Sequence, residues 1–339
     1  MSVSDPRHDI PVLLLHNIDP CWLTEEIEEA VAVTARLEKA LLGVGHPVTN
    51  VSVTADDLPR CLDPFPPERF VVFNWCEELP GIPHSDALVA RILRMRGFTF
   101  TGSPSSVLEL SWDKEKVKRF LEQNGLPTPY WQVYRSSHSD GWNTFPAIVK
   151  PAFEHCSFGV TPEAVVTDPG QLRNRIEYVL EEFHQAALVE EFVDGREFHV
   201  SIWGNDSVEM LPPAEMDFSS FDDVHDRLCT YEAKFQPGSV PYEQIRSVLP
   251  APLNDEEYSS LQRICLSTYR AYGCRDYARL DLRLRDGVFF ILDINPNPDI
   301  SFDASMASAA ESVGISYGDM GSRLVCLAAR RHPVFGKLV

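Results

Sequence analysis

The sequence predicts a mixed fold, an open α/β unit followed by α+β units, and three observations point to it. Strand-length apolar runs alternate with helical patterns over the first hundred residues, the rhythm of a parallel sheet with crossover helices. Gly102-Ser103-Pro104 interrupts that rhythm. Beyond it lie a smaller α+β stretch and a hairpin whose first strand, Ala278 to Leu284, alternates strictly between apolar and charged. The expected division is 1–110, 111–193 and 194–339.

Taken in order, Ile10 to Leu15 is an apolar run of strand length. Thr24-Glu25-Glu26 offers a helix cap with an acidic first turn, which suits the positive end of the helix dipole, and the helical pattern runs to Gly43. Strands are predicted at Val48 to Val53 and Phe70 to Trp75, a helix from Ser85 to Arg96, and a short strand from Phe98 to Thr101. Asp113 to Asn124 is helical, closed by Gly125 and the extended Pro127-Thr128-Pro129. The central unit reads as strand Ala147 to Lys150, helix Pro169 to Phe183 and strand Ala187 to Val193. Asp222 to Asp255 is long and irregular, as functional loops are.

Composition narrows the partners. Lys+Arg 30 against Asp+Glu 50 gives a formal net charge of -20, which disfavours nucleic acid and anionic membrane. The eight cysteines include no Cys-x-x-Cys pair, so neither a zinc site nor a disulfide framework is suggested and reduced thiols fit best. The N-terminal stretch is polar and no apolar run reaches spanning length, so the cytoplasm is the expected location.

The chemistry concentrates near the C-terminus. From Ala278 to Leu284, the apolar Ala278, Leu280, Leu282 and Leu284 share one face and Arg279, Asp281 and Arg283 the other. Asp286-Gly287 supplies turn chemistry, and Val288 to Ile294 is the returning strand. Asp281 and Asp293 are an even number of positions apart. An odd-length loop, or a bulge, therefore sets them on one face, whereas a two-residue turn alone separates them; the odd loop is the expectation. Two adjacent carboxylates stay ionised with a cation between them, and oxygen ligands, with Asn295 as the third, favour Mg2+ or Mn2+. Lys150 ends an apolar strand ahead of a polar loop, Glu154 to Gly159, that is suited to closing over phosphates. Dinucleotide, Gly-x-Ser-x-Gly and His-Glu-x-x-His motifs are missing.

Five segments in order then define a resemblance. They are Trp112-Asp113-Lys114, Ile148-Val149-Lys150-Pro151, Glu190 through Phe198, Tyr231-Glu232-Ala233-Lys234-Phe235, and Arg279 through Asp299. Together they resemble the ATP-grasp superfamily, and within it the D-alanine:D-alanine ligase group, from about Gly97 to Ala329. The resemblance implies an ATP-grasp fold with a Rossmann-like N-terminal preATP-grasp domain and nucleotide held between the central and C-terminal subdomains. It implies ATP and Mg2+ (or Mn2+) as cofactors. It places Lys114 and Lys150 on phosphates, Glu154 and Ser157 in the covering loop, and Glu190, Glu191, Phe192, Val193 and Leu292 around adenine. Glu197 falls on ribose, Lys234 on the transferred phosphate, Arg279 on the reacting carboxylate, and Asp281, Asp293 and Asn295 on metal.

The implied activity is ATP-dependent joining of a small-molecule carboxylate and an amine through an acyl phosphate. A non-amine acceptor and a non-catalytic nucleotide-binding protein are the alternatives, and a homodimer is one expected assembly. The sequence departs from the ligase pattern at His16 to Trp22, which lacks the glycine-rich loop, and at Cys156, Phe235, Asp299 and Asp303. Asp299 and Asp303, with Glu77 on the first-substrate side, are the substrate candidates. They predict an acceptor without a carboxylate near its amine, or with a second positive charge, in place of D-alanine.

Overall fold

The computed structural model describes residues 8–137, 141–154, 157–230, 232–233, 236 and 238–337. The N-terminal domain comprises β1 (Val12–Asn17), α1 (Thr24–Gly43), β2 (Val48–Val53), α2 (Leu58–Leu62), β3 (Val71–Trp75), α3 (Asp86–Met95) and β4 (Thr99–Phe100). Its four strands are parallel in the order β2-β1-β3-β4. Leu13, Leu14, Leu15, Val71, Val72 and Phe73 are fully buried because crossover helices cover both faces. One capping expectation fails. Thr24 lies inside α1 and Leu23 is the N-cap, whose amide donates to Glu26 Oε2 at 2.7 Å.

Two short helices, α4 (Ser105–Ser111) and α5 (Lys114–Gln123), lead into the central unit. Asp113 caps α5 by accepting from the Lys116 amide. The central sheet has order β5-β8-β6-β7 and is antiparallel, formed by β5 (Trp131–Tyr134), β6 (Ala147–Pro151), β7 (Val165–Val166) and β8 (Ala187–Glu191), with α6 (Pro169–Glu182) on one face. β5 is absent from the sequence reading, because Trp131 to Val133 are only half-buried and show no clean alternation.

The largest sheet holds β9 (Arg196–Gly204), β10 (Val208–Met210), β11 (Ala214–Asp217), β12 (Arg246–Val248), β13 (Asp276–Arg285) and β14 (Val288–Asn295) in the order β12-β11-β9-β13-β14, with β10 beside β9. α7 (Val240–Gln244) and β12 occupy part of the segment expected to be irregular. α8 (Asp255–Tyr272) packs on this sheet through Leu261, Cys265 and Tyr269. α9 (Ser305–Glu311) and α10 (Tyr317–Ala329) turn back to share a core with Val12, Leu14, Val71 and Phe73 of the N-terminal sheet. α10 approaches α1 so closely that a Cβ on Gly318 would lie 2.8 Å from the Ala40 carbonyl oxygen.

Buried Asp276 ties these parts together. It accepts from the Gly102 amide at 2.9 Å, from Asn205 Nδ2 at 2.9 Å, and from both terminal nitrogens of Arg331 at 2.6 and 2.7 Å. Among the described residues no disulfide links cysteines, and no helix is long and apolar enough to cross a membrane.

Candidate active site

The β13–β14 hairpin turns through two residues, Asp286 (φ 53°) and Gly287 (φ 76°), with Arg285 paired to Val288. Both central residues lie in the left-handed region, as this tight hairpin turn requires. The expected odd loop is therefore wrong. A β-bulge sets the parity instead. The register slips between Asp281 and Leu282, and Leu292 is the extra residue, so Asp281 stands opposite Asp293 and Arg279 opposite Asn295. On the other side β9 brings His199 opposite Asp281 and Glu197 opposite Arg283. Three strands thus present one polar face.

On that face Arg279 donates from Nε to Asp281 Oδ1 at 2.7 Å and from Nη2 to Oδ2 at 3.0 Å, so the guanidinium is held in a fixed plane. Lys114 Nζ lies 3.8 Å from Asp293 Oδ2. Asn295 Oδ1 accepts from the Asn297 amide at 3.1 Å. The carboxylates of Asp281 and Asp293 and the amide oxygen of Asn295 form an all-oxygen donor set, which suits Mg2+ or Mn2+.

Across the cleft a buried charge triad forms its wall. Glu190 on β8 receives Lys150 Nζ at 2.9 Å and Lys118 Nζ at 2.5 Å. Burial pushes the Glu190 carboxyl up, but the two ammonium groups outweigh it and hold it down to about 2. Burial lowers Lys118, whereas at Lys150 the attraction of Glu190 overcomes burial and raises it. Lys118 also donates to Thr128 Oγ1 at 2.9 Å and to the Leu292 carbonyl at 3.1 Å, so it reaches the bulge of the facing hairpin. Sequence reasoning missed Lys118, although its place one helical turn after Lys114 offered a signal.

The loop after β6 lies over this wall. Ser157 (φ 62°) donates from Oγ to the Cys229 carbonyl at 2.8 Å, and Gly159 (φ 74°) accepts from Arg175 Nη2 at 2.7 Å. Glu154 accepts from Gln185 Nε2 at 2.5 Å and lies 3.8 Å from His84 of the N-terminal domain. Lys234, with Cys156, Tyr231 and Phe235, lies outside the described residues.

The expectation that the Glu190 to Val193 backbone reads an adenine edge meets competition. The Glu191 amide donates to the Tyr130 carbonyl and the Phe192 amide to the Pro146 carbonyl, and the Val193 carbonyl accepts from Arg283. Phe192 and Val193 are buried cleft walls, with Leu292 opposite. Glu197 binds Arg283 Nε at 2.8 Å and lies 3.3 Å from His199 Nε2. Burial would raise its carboxyl, but Arg283 and His199 hold it at about 2. The lack of paired cysteine motifs pointed away from mixed metal-type clusters, yet the fold gathers Glu197, His199 and Cys229, with ligand atoms within 4.8 Å of one another.

At the N-terminal side, Glu77 follows β3, its amide donating to Asn17 Oδ1 at 3.0 Å. Its side chain is exposed to solvent, yet neighbouring protein crowds it. That crowding, with the charges of Asp299, Glu78 and Asp86, pushes its carboxyl up to about 7. Exposed Asp299 accepts from the Ser301 amide at 2.8 Å, and exposed Asp303 precedes the cap of α9.

A family model described as D-ala D-ala ligase C-terminus matches residues 120–326. The uncharacterized protein y4sG of Sinorhizobium fredii is 35% identical over 279 residues, covering 81% of this chain and 80% of that protein. A D-alanine--D-alanine ligase of Marinomonas sp. is 31% identical over 251 residues, 73% of this chain and 74% of the relative. The crystal structure of D-alanine--D-alanine ligase from Bacillus anthracis complexed with ATP superposes with a TM-score of 0.72 at 18% identity, over 97% of this chain and all of that one. With a polar three-strand face opposite a buried lysine–glutamate wall, and with family identity spanning most of its length, the chain belongs to the D-alanine–D-alanine ligase family, ATP-grasp ligases that form C–N bonds.

Proposed function

We propose that this protein joins a carboxylate to an amine through an acyl phosphate, releasing ADP and phosphate, and that its acceptor is not D-alanine. The division 1–110, 111–193 and 194–339 then has a functional sense, with ATP held between the second and third units. The observation that carries the reading is the bulge-set pairing of Asp281 with Asp293 and of Arg279 with Asn295, facing the Lys150–Glu190–Lys118 wall. Asp281, Asp293 and Asn295 would hold Mg2+, which supplies charge neutralisation at the phosphates when bound.

The chain's own residues do the rest. Lys114 and Lys150 orient the phosphates, and Glu190 fixes the Lys150 ammonium in place. The substrate carboxylate attacks the terminal phosphorus as ADP leaves, and the amine then displaces phosphate. Arg279, locked by Asp281, offers donors to the oxygen that becomes negative during that displacement. The Glu154 to Gly159 loop excludes water, which would hydrolyse the acyl phosphate. Lys234 is assigned to the phosphate being transferred by resemblance.

On the acceptor side Asp299 and Asp303 are acidic, and Glu77, on the first-substrate side, senses that charge: its rise to about 7 reflects in part the field of Asp299. Such a field repels an acceptor carboxylate and favours an amine with no carboxylate beside it, or with a second cationic group. The test is ADP release from Mg-ATP across a matrix of carboxylates and amines, with mass spectrometry of products. Diamines or amines without a neighbouring carboxylate are expected to outperform D-alanine at least tenfold in kcat/KM. D-alanine as the best acceptor would overturn the specificity claim, and no ADP with any pair would overturn the ligase claim.

A further inference from the structure

Near Glu197, which the resemblance places on ribose, the cleft gathers two further side chains, His199 and Cys229, to which the ligase reading gives no role. His199 and Glu197 project from β9 onto the polar face, and both are more than nine-tenths buried. Cys229 arrives from the segment after the 3-10 turn Val224–Asp226, whose backbone is tethered by Ser157. The carboxylate oxygen, imidazole nitrogen and thiol sulfur all lie within 4.8 Å of one another.

The His199 Nε2 to Glu197 Oε1 separation is 3.3 Å. That is longer than a charge-assisted hydrogen bond, which sits near ~2.7–2.9 Å. It equals the spacing of two ligand atoms around a tetrahedral ion at bond lengths of about 2.0–2.1 Å, roughly 3.3–3.4 Å. The other oxygen of Glu197 is held by Arg283 Nε at 2.8 Å, an outer contact of the kind that orients a ligating carboxylate.

We propose that Glu197, His199 and Cys229 form a site for a thiophilic divalent ion such as Zn2+, and that its occupancy excludes nucleotide from the cleft. A nitrogen, oxygen and sulfur donor set selects Zn2+ over Mg2+, which takes oxygen ligands. Binding releases the Cys229 thiol proton, so affinity rises with pH. Three protein ligands leave a fourth position for water. The Arg283 guanidinium opposes a dication, which keeps affinity below that of closed structural zinc sites and makes occupancy reversible. Glu197, His199 and Cys229 line the same cleft as Lys150 and Asp281, so ion and nucleotide compete. The exclusion half rests on that cleft being the ATP site; the metal half does not.

Co2+, a spectroscopic stand-in for Zn2+, tests both halves on the full chain. Titration without nucleotide is expected to produce thiolate-to-cobalt charge-transfer absorption that Zn2+ abolishes. The band should disappear in Cys229→Ser, and its affinity should fall at least tenfold in His199→Gln, with circular dichroism checking that each variant is folded. No band in the wild type, or an unchanged band in Cys229→Ser, overturns the site. ATP binding is then measured by calorimetry with and without Co2+. Co2+ that weakens ATP binding in the wild type but not in Cys229→Ser, where chelation of cobalt by free ATP is the same, supports exclusion, and ATP that binds while the band persists overturns it. If ATP fails to bind even without cobalt, the nucleotide reading of the cleft falls and the metal site stands on the first titration.

Discussion

Replacing Lys118 with Met tests whether the buried triad is electrostatic in origin. The substitution removes the ammonium 2.5 Å from Glu190 Oε1 and keeps an unbranched apolar stem of similar size. Glu190 titrates near 2 in the folded chain against an ordinary 4.5, a difference that corresponds to about 3 kcal/mol at pH 7. Its folded-state value is depressed, so the stabilisation is complete above about 4.5 and is lost as pH falls toward 2; about 2 kcal/mol remains at pH 3.5. Lys118 itself carries an opposing cost, because burial disfavours its ammonium. Lys150 remains as a partner in the variant, while the Ile291 and Leu292 carbonyls lose a donor. The balance is a loss of about 2–4 kcal/mol at pH 7, narrowing by about 1 kcal/mol at pH 3.5. Urea unfolding followed by tryptophan fluorescence at both pH values measures it. A penalty under about 0.5 kcal/mol at pH 7, or one that grows on acidification, would refute the account.

Three further outcomes are expected. Asp281→Asn and Asp293→Asn should each lower kcat at least about 100-fold and raise the Mg2+ concentration needed for half-maximal rate, read from ADP release; a normal Mg2+ profile would remove these residues from the metal site. For a first substrate that carries an ammonium group, kcat/KM should rise with pH through about 7 as Glu77 ionises and holds that cation, and Glu77→Gln should abolish that limb while leaving ATP affinity intact. Gly159→Ala should cost at least about 10-fold in kcat with little change in Tm. Its Cβ would fall 2.7 Å from Phe183 Cζ at a left-handed φ, so the covering loop must shift, and an unaltered kcat would remove that loop from catalysis.

Much of the architecture was legible because it rests on short-range patterns. The alternation from Ala278 to Leu284 is the observed β13 with its buried and polar faces, and Val48 to Val53 is β2 to the residue. What escaped depends on distant chain. Nothing local marks Lys118 as buried, since a lysine on a charged helix usually faces water; only the approach of β14 encloses it. The bulge at Leu292 is invisible to a period-two reading, which is why a loop-length argument gave the right face for Asp293 by the wrong route. Glu197, His199 and Cys229 meet only when the segment after the 3-10 turn Val224–Asp226 folds over β9. Lys114, Lys150, Asp281 and Asp293 were readable from motifs, whereas the groups that hold them in place were not.

The bulge has an evolutionary corollary. Because the offset that aligns Asp281 with Asp293 lies beside the acidic pair and not at the hairpin tip, the Asp286-Gly287 end is free to drift. Inserting or deleting residues there changes only how far the ribbon protrudes, so long as Arg285 and Val288 still pair. Regularising the ladder at Leu292 with the residue count unchanged has the opposite result, because Leu292 then stands opposite Asp281. It rotates Asp293 and Asn295 into the apolar layer beneath and turns Ile294 outward, disabling the site while leaving composition and strand length almost untouched. Homologues are therefore expected to vary in length at the tip and to keep the offset at Leu292.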